Sequence, residues 1–184
     1  LAGDSGNCSV KMKAIRYRHF GPPEVLEYVE VDRPLPRAKE VLVKVAAAAV
    51  NPKDCLTRKG KFRLLSGRRF PRAVGYDVSG TVLECGAACE RFKPGDHVSG
   101  MLNGWAGGTC AEEVVIPQDE VAAAPGTISL EDSAGLPLAA QTSLQALRDL
   151  GGIQPGMRVL INGASGGVGT VAVQIAKYLG AQVT

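Results

Sequence analysis

A glycine-rich stretch near the end of the sequence has the composition of a phosphate-binding turn. It runs Gly163-Ala164-Ser165-Gly166-Gly167-Val168-Gly169. Glycines let a backbone turn sharply and approach a pyrophosphate with no Cβ atom in the way. Gly166 and Gly169 supply the last two glycines of the G-x-G-x-x-G pattern, Ala164 replaces the first, and the Ser165 hydroxyl can donate to a phosphate oxygen. No Lys-Ser or Lys-Thr pair follows the glycines, which excludes a Walker-type loop.

The segments on either side of the turn predict the unit in which dinucleotides bind. Residues 158–162 predict a short strand, and 182–184 begin another. Residues 168–179 place apolar side chains at intervals of three, four, seven and eight, which predicts an amphipathic helix whose N-terminus can hold an anion. A strand, a glycine turn, a helix and a new strand open a dinucleotide-binding domain. A tight turn that merely packs a helix on a sheet is the alternative.

The rest of the chain predicts a β-rich domain followed by a helix. Short apolar or alternating runs, separated by Gly- and Pro-rich turns, occur at 13–17, 26–31, 41–45, 79–84, 97–100 and 111–116. Strands at this spacing favour a small barrel or sandwich, and no helical period of any length occurs among them. Ser129 and Asp132 resemble a capping box, so we expect one helix from there to Gly151-Gly152.

Composition excludes several classes of protein. The 184 residues are 45% hydrophobic with a net charge of +3, which is ordinary for a globular chain and too small a charge for disorder. Without a basic cluster or about 18 consecutive apolar residues, we expect no nucleic-acid partner and no membrane insertion. Five irregularly spaced cysteines favour a reducing cytoplasm over a disulfide framework, and two histidines are too few for a zinc site. Residues 1–11 are small and polar, and we expect a disordered leader.

Several short motifs occur one after another along the chain. They are Met12-Lys13-Ala14, Gly21-Pro22-Pro23, Asn51-Pro52-Lys53-Asp54, Gly75-Tyr76-Asp77-Val78-Ser79-Gly80, Gly95-Asp96-His97-Val98, Gly107-Gly108, Leu136-Pro137-Leu138-Ala139-Ala140 and the glycine turn. Together they resemble the medium-chain dehydrogenase/reductase superfamily, and within it the zinc-free quinone oxidoreductase (zeta-crystallin-like) branch. The resemblance covers residues 12–184, almost the whole chain.

This resemblance implies a fold and an activity. The fold is α+β to α/β: a GroES-like β-barrel domain over 12–125, then over 126–184 the beginning of a Rossmann domain, with its first strand, first helix and the start of a second strand. The activity is NADPH-dependent transfer of a hydride to a quinone or an α,β-unsaturated carbonyl. NAD is not excluded, because the residue that selects between the two cofactors lies about 20 residues past the turn, at or beyond Thr184.

The resemblance also implies roles for individual residues. Zinc-dependent relatives carry metal ligands where this chain has Asn51 and Tyr76, which implies that no zinc is bound. By position, Asn51 is the candidate catalytic residue near the nicotinamide and the substrate, and Thr142 lies near the nicotinamide amide. Residues 164–169 surround the pyrophosphate. Structural roles are the alternatives: Asn51 can simply form an Asn-Pro turn, and Thr142 can pack its helix. Asp54 can serve as a structural hydrogen-bond acceptor at a turn. Tyr76 can be a proton donor or can fill the cavity that holds the metal in zinc-dependent relatives.

The motifs leave two other functions open, and the resemblance also bears on the oligomeric state and the completeness of the chain. An enoyl reductase of acyl thioesters, or a non-catalytic NADPH-binding protein of the same fold, fits the same motifs. Family members commonly dimerise through the Rossmann sheet, so we expect a homodimer at full length. A Rossmann domain needs about six parallel strands at about 30 residues per βαβ unit, whereas 26 residues follow from Val159 to Thr184. We therefore expect the 184-residue chain to be incomplete and inactive alone.

Overall fold

The computed structural model describes residues 10–184, which divide into two compact units; the first ends at Ala134 and the second is Gly135–Thr184. The leader expected at 1–11 therefore lies outside the described residues except for Val10 and Lys11, and Lys11 already begins a strand. The first unit extends past the boundary expected after residue 125, because helix Leu130–Ser133 packs on its sheet. There the Ser99 hydroxyl donates to the Ser133 carbonyl oxygen over 2.8 Å.

The first unit is built from two antiparallel sheets. Its strands are β1 (Lys11–Tyr17), β2 (Glu27–Asp32), β3 (Glu40–Ala49), β4 (Arg72–Ala73), β5 (Asp77–Cys85), β6 (His97–Met101), β7 (Glu113–Pro117) and β8 (Val121–Ala123). One sheet has the order β2-β1-β4 and the other β7-β3-β5-β6-β8. The six strands expected from sequence are all present, with ends shifted by a few residues. The two others, β4 and β8, have only two and three residues, too few to alternate.

The core of the first unit lies on the five-stranded sheet. Its buried members are Val41, Val43, Val78, Val82, Val98, Val114, Ile116 and Val121. Fully burying such a side chain contributes about 1.5–3 kcal/mol, so this cluster dominates the stability of the unit. Close strand packing explains Gly80 on β5, where a Cβ atom would lie 2.1 Å from the Lys44 carbonyl oxygen on β3.

Two short helices in the first unit contradict the expectation of strands alone before residue 125. They are α1 (Pro52–Arg58) and α2 (Arg63–Ser66). A helix of two turns or fewer has too few residues to show a period, and α1 is specified by its start instead. Pro52 occupies the first turn, and the Asp54 carboxylate accepts the Asn51 backbone N–H over 2.8 Å.

The single helix expected from Ser129 to Gly151 is also wrong. The structure has two helices, α3 (Leu130–Ser133) and α4 (Pro137–Leu144), with a π-helical continuation at Gln145–Leu150. Ser129 caps α3 as expected, since its hydroxyl accepts the Asp132 N–H over 2.9 Å. Pro137 then ends that helix, because proline lacks an N–H and its ring clashes with the preceding turn. Across residues 10–184, every helix is too short or too polar to span a membrane.

The second unit contains the strand–turn–helix–strand arrangement expected from the sequence. Strand β9 (Arg158–Val159) precedes α5 (Gly167–Tyr178), and β10 (Gln182–Val183) follows it. The two strands pair in parallel, with Gln182 opposite Arg158 and Val183 opposite Val159. Helix α5 buries Ala172 and Ala176 on its inner face. This is a βαβ crossover with the glycine turn at the N-terminus of its helix.

Candidate functional site

The glycine turn leads directly into the first turn of α5. Gly163 takes a left-handed conformation (φ +78°), and its carbonyl oxygen accepts the Gly166 N–H over 3.0 Å. Gly166 caps the helix, and its carbonyl accepts the Thr170 N–H over 2.9 Å. Residues 163–168 are exposed. The first N–H groups of a helix have no partner within it and carry the positive end of its dipole, so this exposed turn can bind an anion.

The glycines of the turn differ in whether the surrounding structure has room for a Cβ atom. At Gly169 a Cβ would lie 2.2 Å from the Gly163 carbonyl oxygen and 2.7 Å from Ala164 Cα, so packing of the turn on the helix requires glycine. At Gly167 a Cβ would meet nothing within 4 Å, and at Gly166 only the Gly163 oxygen at an ordinary 3.4 Å. Gly166 also has an ordinary φ of −79°. The bare backbone at 166 and 167 is not required by the protein's own packing and fits the close approach of a pyrophosphate.

Helix α4 holds the N-terminus of α5 through Ser143. This buried hydroxyl lies 2.8 Å from the Ala139 carbonyl oxygen of its own helix and 2.9 Å from the Val168 carbonyl oxygen of α5, and it can donate its one hydrogen to either. Thr142, the residue before it, is exposed. Thr142 and the glycine turn thus both belong to the second unit, whereas Asn51 belongs to the first.

A polar network in the first unit fixes Asn51 at the start of α1. Its side-chain Nδ2 donates to Asp77 Oδ2 over 2.9 Å. Asp54 is buried and accepts the Asn51 N–H at one carboxylate oxygen and the Gly75 N–H, over 3.1 Å, at the other. Burial raises the pKa of Asp54 above its ordinary value, and these two backbone donors oppose the rise. Asp54 thus has the structural role named above as its alternative, and Asp77 holds the Asn51 amide.

Lys53, two residues after Asn51, lies among aromatic side chains that the sequence did not predict to be near it. Lys53 Nζ lies 3.9 Å from the centre of the Tyr76 ring and 5.0 Å from that of Trp105, and it donates to the Gly104 carbonyl oxygen over 3.2 Å. Burial lowers the pKa of Lys53. The Phe62 ring packs on Trp105 with 5.1 Å between centroids. The one signal in the sequence was that Trp105 is the only tryptophan and lies in a glycine-rich loop.

Tyr76 occupies the position of a histidine ligand in zinc-dependent relatives, and the protein itself engages it. The side chain is 2% exposed, and its hydroxyl donates to the Trp105 carbonyl oxygen over 3.3 Å. Burial raises the pKa of its phenol. These contacts favour the filling of space over proton donation. Within residues 10–184, no three His, Cys, Asp or Glu side chains form a group that could hold a metal ion.

Comparison with known proteins extends this picture. Residues 37–126 match the alcohol dehydrogenase GroES-like domain. The chain is 42% identical to a chloroplastic quinone-oxidoreductase homolog of Spinacia oleracea, covering 94% of this chain and 54% of the relative. It is 39% identical to a mitochondrial NAD(P)H oxidoreductase of Homo sapiens, covering 90% and 46%.

A solved structure shows the same likeness. The quinone oxidoreductase of Coxiella burnetii superposes with a TM-score of 0.86 at 36% identity, covering 95% of this chain and 56% of that one. The chain thus spans about half the length of the relatives it matches. These likenesses show that the chain contains an alcohol dehydrogenase GroES-like domain and is similar to quinone oxidoreductases of the medium-chain dehydrogenase/reductase superfamily.

Proposed function

We propose that this chain supplies the dinucleotide-binding turn and the substrate-side β-domain of an oxidoreductase that reduces a quinone or an α,β-unsaturated carbonyl with NADPH and without zinc. One observation carries the proposal. The exposed turn before α5 leaves the backbone of Gly166 and Gly167 bare, and the packing of the protein does not require this. The names of the relatives as quinone oxidoreductase and NAD(P)H oxidoreductase support the same reaction.

The residues of the second unit bind the cofactor in this proposal. When bound, the nicotinamide supplies the hydride. The backbone N–H groups of Gly166, Gly167 and Val168 and the hydroxyl of Ser165 hold the pyrophosphate at the positive end of the α5 dipole. Ala164 and Gly169 shape the turn, since Gly169 packs against Ala164. We assign the exposed Thr142 to the nicotinamide amide.

Asn51 binds the substrate carbonyl in this proposal. Its Nδ2 carries two hydrogens, of which one is donated to Asp77. The second can donate to the carbonyl oxygen on which negative charge develops. A fixed donor of this kind stabilises a developing oxyanion without reorganising during the reaction. An amide at position 51 and a buried phenol at 76 are not common zinc ligands, so a neutral donor takes the place of a Lewis acid.

The binding half of the proposal is tested by titrating NADPH, and NADH in parallel, into three proteins: the wild type, Gly166→Val and Gly126→Val. Gly126 is the matched control, because a Cβ there would meet nothing within 4 Å, a Cβ at Gly166 would make only one ordinary contact, and neither φ is positive. We expect Gly166→Val to weaken NADPH binding at least tenfold, about 1.4 kcal/mol, and Gly126→Val to leave it unchanged. Equal affinity in all three proteins would mean that the turn does not contact the cofactor.

The catalytic half is tested by following NADPH oxidation by the full-length protein with a quinone, an enone and an acyl thioester. Faster turnover of the quinone or enone supports the proposal. Preference for the thioester would instead identify an enoyl reductase. Tight NADPH binding with no oxidation by any acceptor would identify a non-catalytic binding protein.

Partners and location are also proposals. We propose a small-molecule acceptor and a homodimer for the full-length protein, without a nucleic-acid partner. A cytoplasmic location stays a prediction from the sequence, since the relatives named above are chloroplastic and mitochondrial.

A further inference from the structure

A second candidate binding site lies in the first unit, where three arginines line one cavity. The cavity has a volume of about 380 Å³, and its lining includes Arg16 on β1, Arg72 on β4 and Arg69. Ser66 and Trp105 also line the cavity. No Asp or Glu of the described residues lines it. The three positive charges therefore face this space without an opposing carboxylate in its wall.

The Arg72 guanidinium is held in place but incompletely hydrogen-bonded. The side chain is 7% exposed, and its Nη groups donate to the carbonyl oxygens of Ser66 (2.7 Å), Gly67 (3.2 Å) and Trp105 (2.7 Å). Its Nε makes no hydrogen bond. The buried Arg16 Nε and Ser66 Oγ also have no partner. Buried polar atoms are normally hydrogen-bonded, so three residues of this lining carry a polar atom that the protein leaves without a partner.

The carboxylates packed around this cavity have other partners. Glu27, opposite Arg16 in the β1–β2 register, accepts from Arg18 Nε over 3.1 Å. The Tyr17 hydroxyl lies near Arg72, but burial raises the pKa of Tyr17 against the opposing charge of Arg72, so the phenol stays neutral. The Asp54 carboxylate is committed to the backbone N–H groups of Asn51 and Gly75. Lys53, whose Nζ lies 5.0 Å from the centre of the Trp105 ring, adds a further positive charge beside that residue.

We propose that this cavity binds a small oxyanion, the carboxylate or phosphate group of an organic ligand. Guanidinium groups match both anions in shape and charge. The Ser66 hydroxyl adds a neutral donor, and Trp105 offers an aromatic wall to the carbon body of the ligand. The site is formed entirely by the first unit, and the glycine turn entirely by the second.

The test uses inorganic phosphate and benzoate as probes, titrated calorimetrically at constant low ionic strength. Arg72 is unsuited to substitution, because it ties three backbone segments together. Arg69→Gln is the informative variant, and Arg68→Gln is its matched control. The two arginines are adjacent and exposed, and they lose the same charge, but only Arg69 lines the cavity.

We expect saturable binding of at least one probe, weakened at least fivefold in Arg69→Gln and less than twofold in Arg68→Gln. Tighter binding of phosphate would identify a phosphate ester as the ligand class, and tighter binding of benzoate a carboxylate. The proposal is overturned if neither probe binds saturably or if both variants weaken binding equally. It is also overturned if binding survives Arg69→Gln and is lost in Gly166→Val, since the anion then lies at the glycine turn.

Discussion

Alanine substitutions at two glycines of the turn before α5, Gly167 and Gly169, distinguish an effect on cofactor binding from an effect on folding. In Gly169→Ala the new Cβ would lie 2.2 Å from the Gly163 carbonyl oxygen, where ordinary contact begins at 3.4 Å. The atoms it meets belong to the backbone, so the turn must move by about 1 Å, and overpacking of this kind costs about 1–3 kcal/mol. Better helix propensity returns up to about 1 kcal/mol. We expect a net loss of about 1–2 kcal/mol.

Gly167→Ala is the matched variant, because its Cβ enters open space. It gains helix propensity without a clash, so we expect unchanged or slightly higher stability together with weaker NADPH binding. Hydrogen exchange of peptides from 167–178, read by mass spectrometry, reports the opening of α5 directly. We expect about tenfold faster exchange in Gly169→Ala, the factor that corresponds to 1.4 kcal/mol, and no acceleration in Gly167→Ala. Unchanged exchange in Gly169→Ala, or equal acceleration in both, would refute the assignment of separate roles.

Three further substitutions test other contacts. In the full-length protein, Asn51→Ala should lower kcat for enone reduction by about 10²–10³, the usual loss for one oxyanion donor. Loss of its hydrogen bond to the buried Asp77 should also lower the free energy of unfolding in urea by about 1–3 kcal/mol. Ser143→Ala should destabilise the second unit by about 1 kcal/mol, which faster exchange in α5 would report, because its buried hydroxyl holds Val168. Arg33→Gln removes ion pairs to Glu84 (2.7 Å) and Glu113 (2.5 Å). It should cost about 1 kcal/mol in dilute buffer and less in 1 M NaCl, since salt screens partly exposed pairs.

The sequence predicts the parts of the fold that depend on the order of neighbouring residues. Short apolar or alternating runs marked the strands of the first unit, and the period of α5 together with its glycine turn marked the βαβ unit. Helix α1 was missed because two turns are too short for a period and its start depends on Asp54 reaching back to Asn51. The single helix after Ser129 was wrong because Pro137 separates the helix that Ser129 caps from the apolar residues that begin at Leu138.

The candidate sites divide in the same way. Asn51 and the glycine turn are contiguous motifs, so the sequence identified them and the resemblance supplied their roles. The cation–aromatic group of Lys53, Tyr76 and Trp105 joins residues far apart in the chain, and no local pattern announces it. The same holds for the arginine-lined cavity, which exists only because β1 pairs with β4.

Binding of a dinucleotide at the glycine turn is tested most directly by following backbone amide resonances of the ¹⁵N-labelled protein during an NADPH titration. We predict saturable shifts centred on Ser165, Gly166, Gly167 and Val168, with the Gly126 amide unchanged. Saturable shifts that leave these four amides unmoved and cluster elsewhere, or no saturable shift at all, would contradict the assignment of this turn to the cofactor.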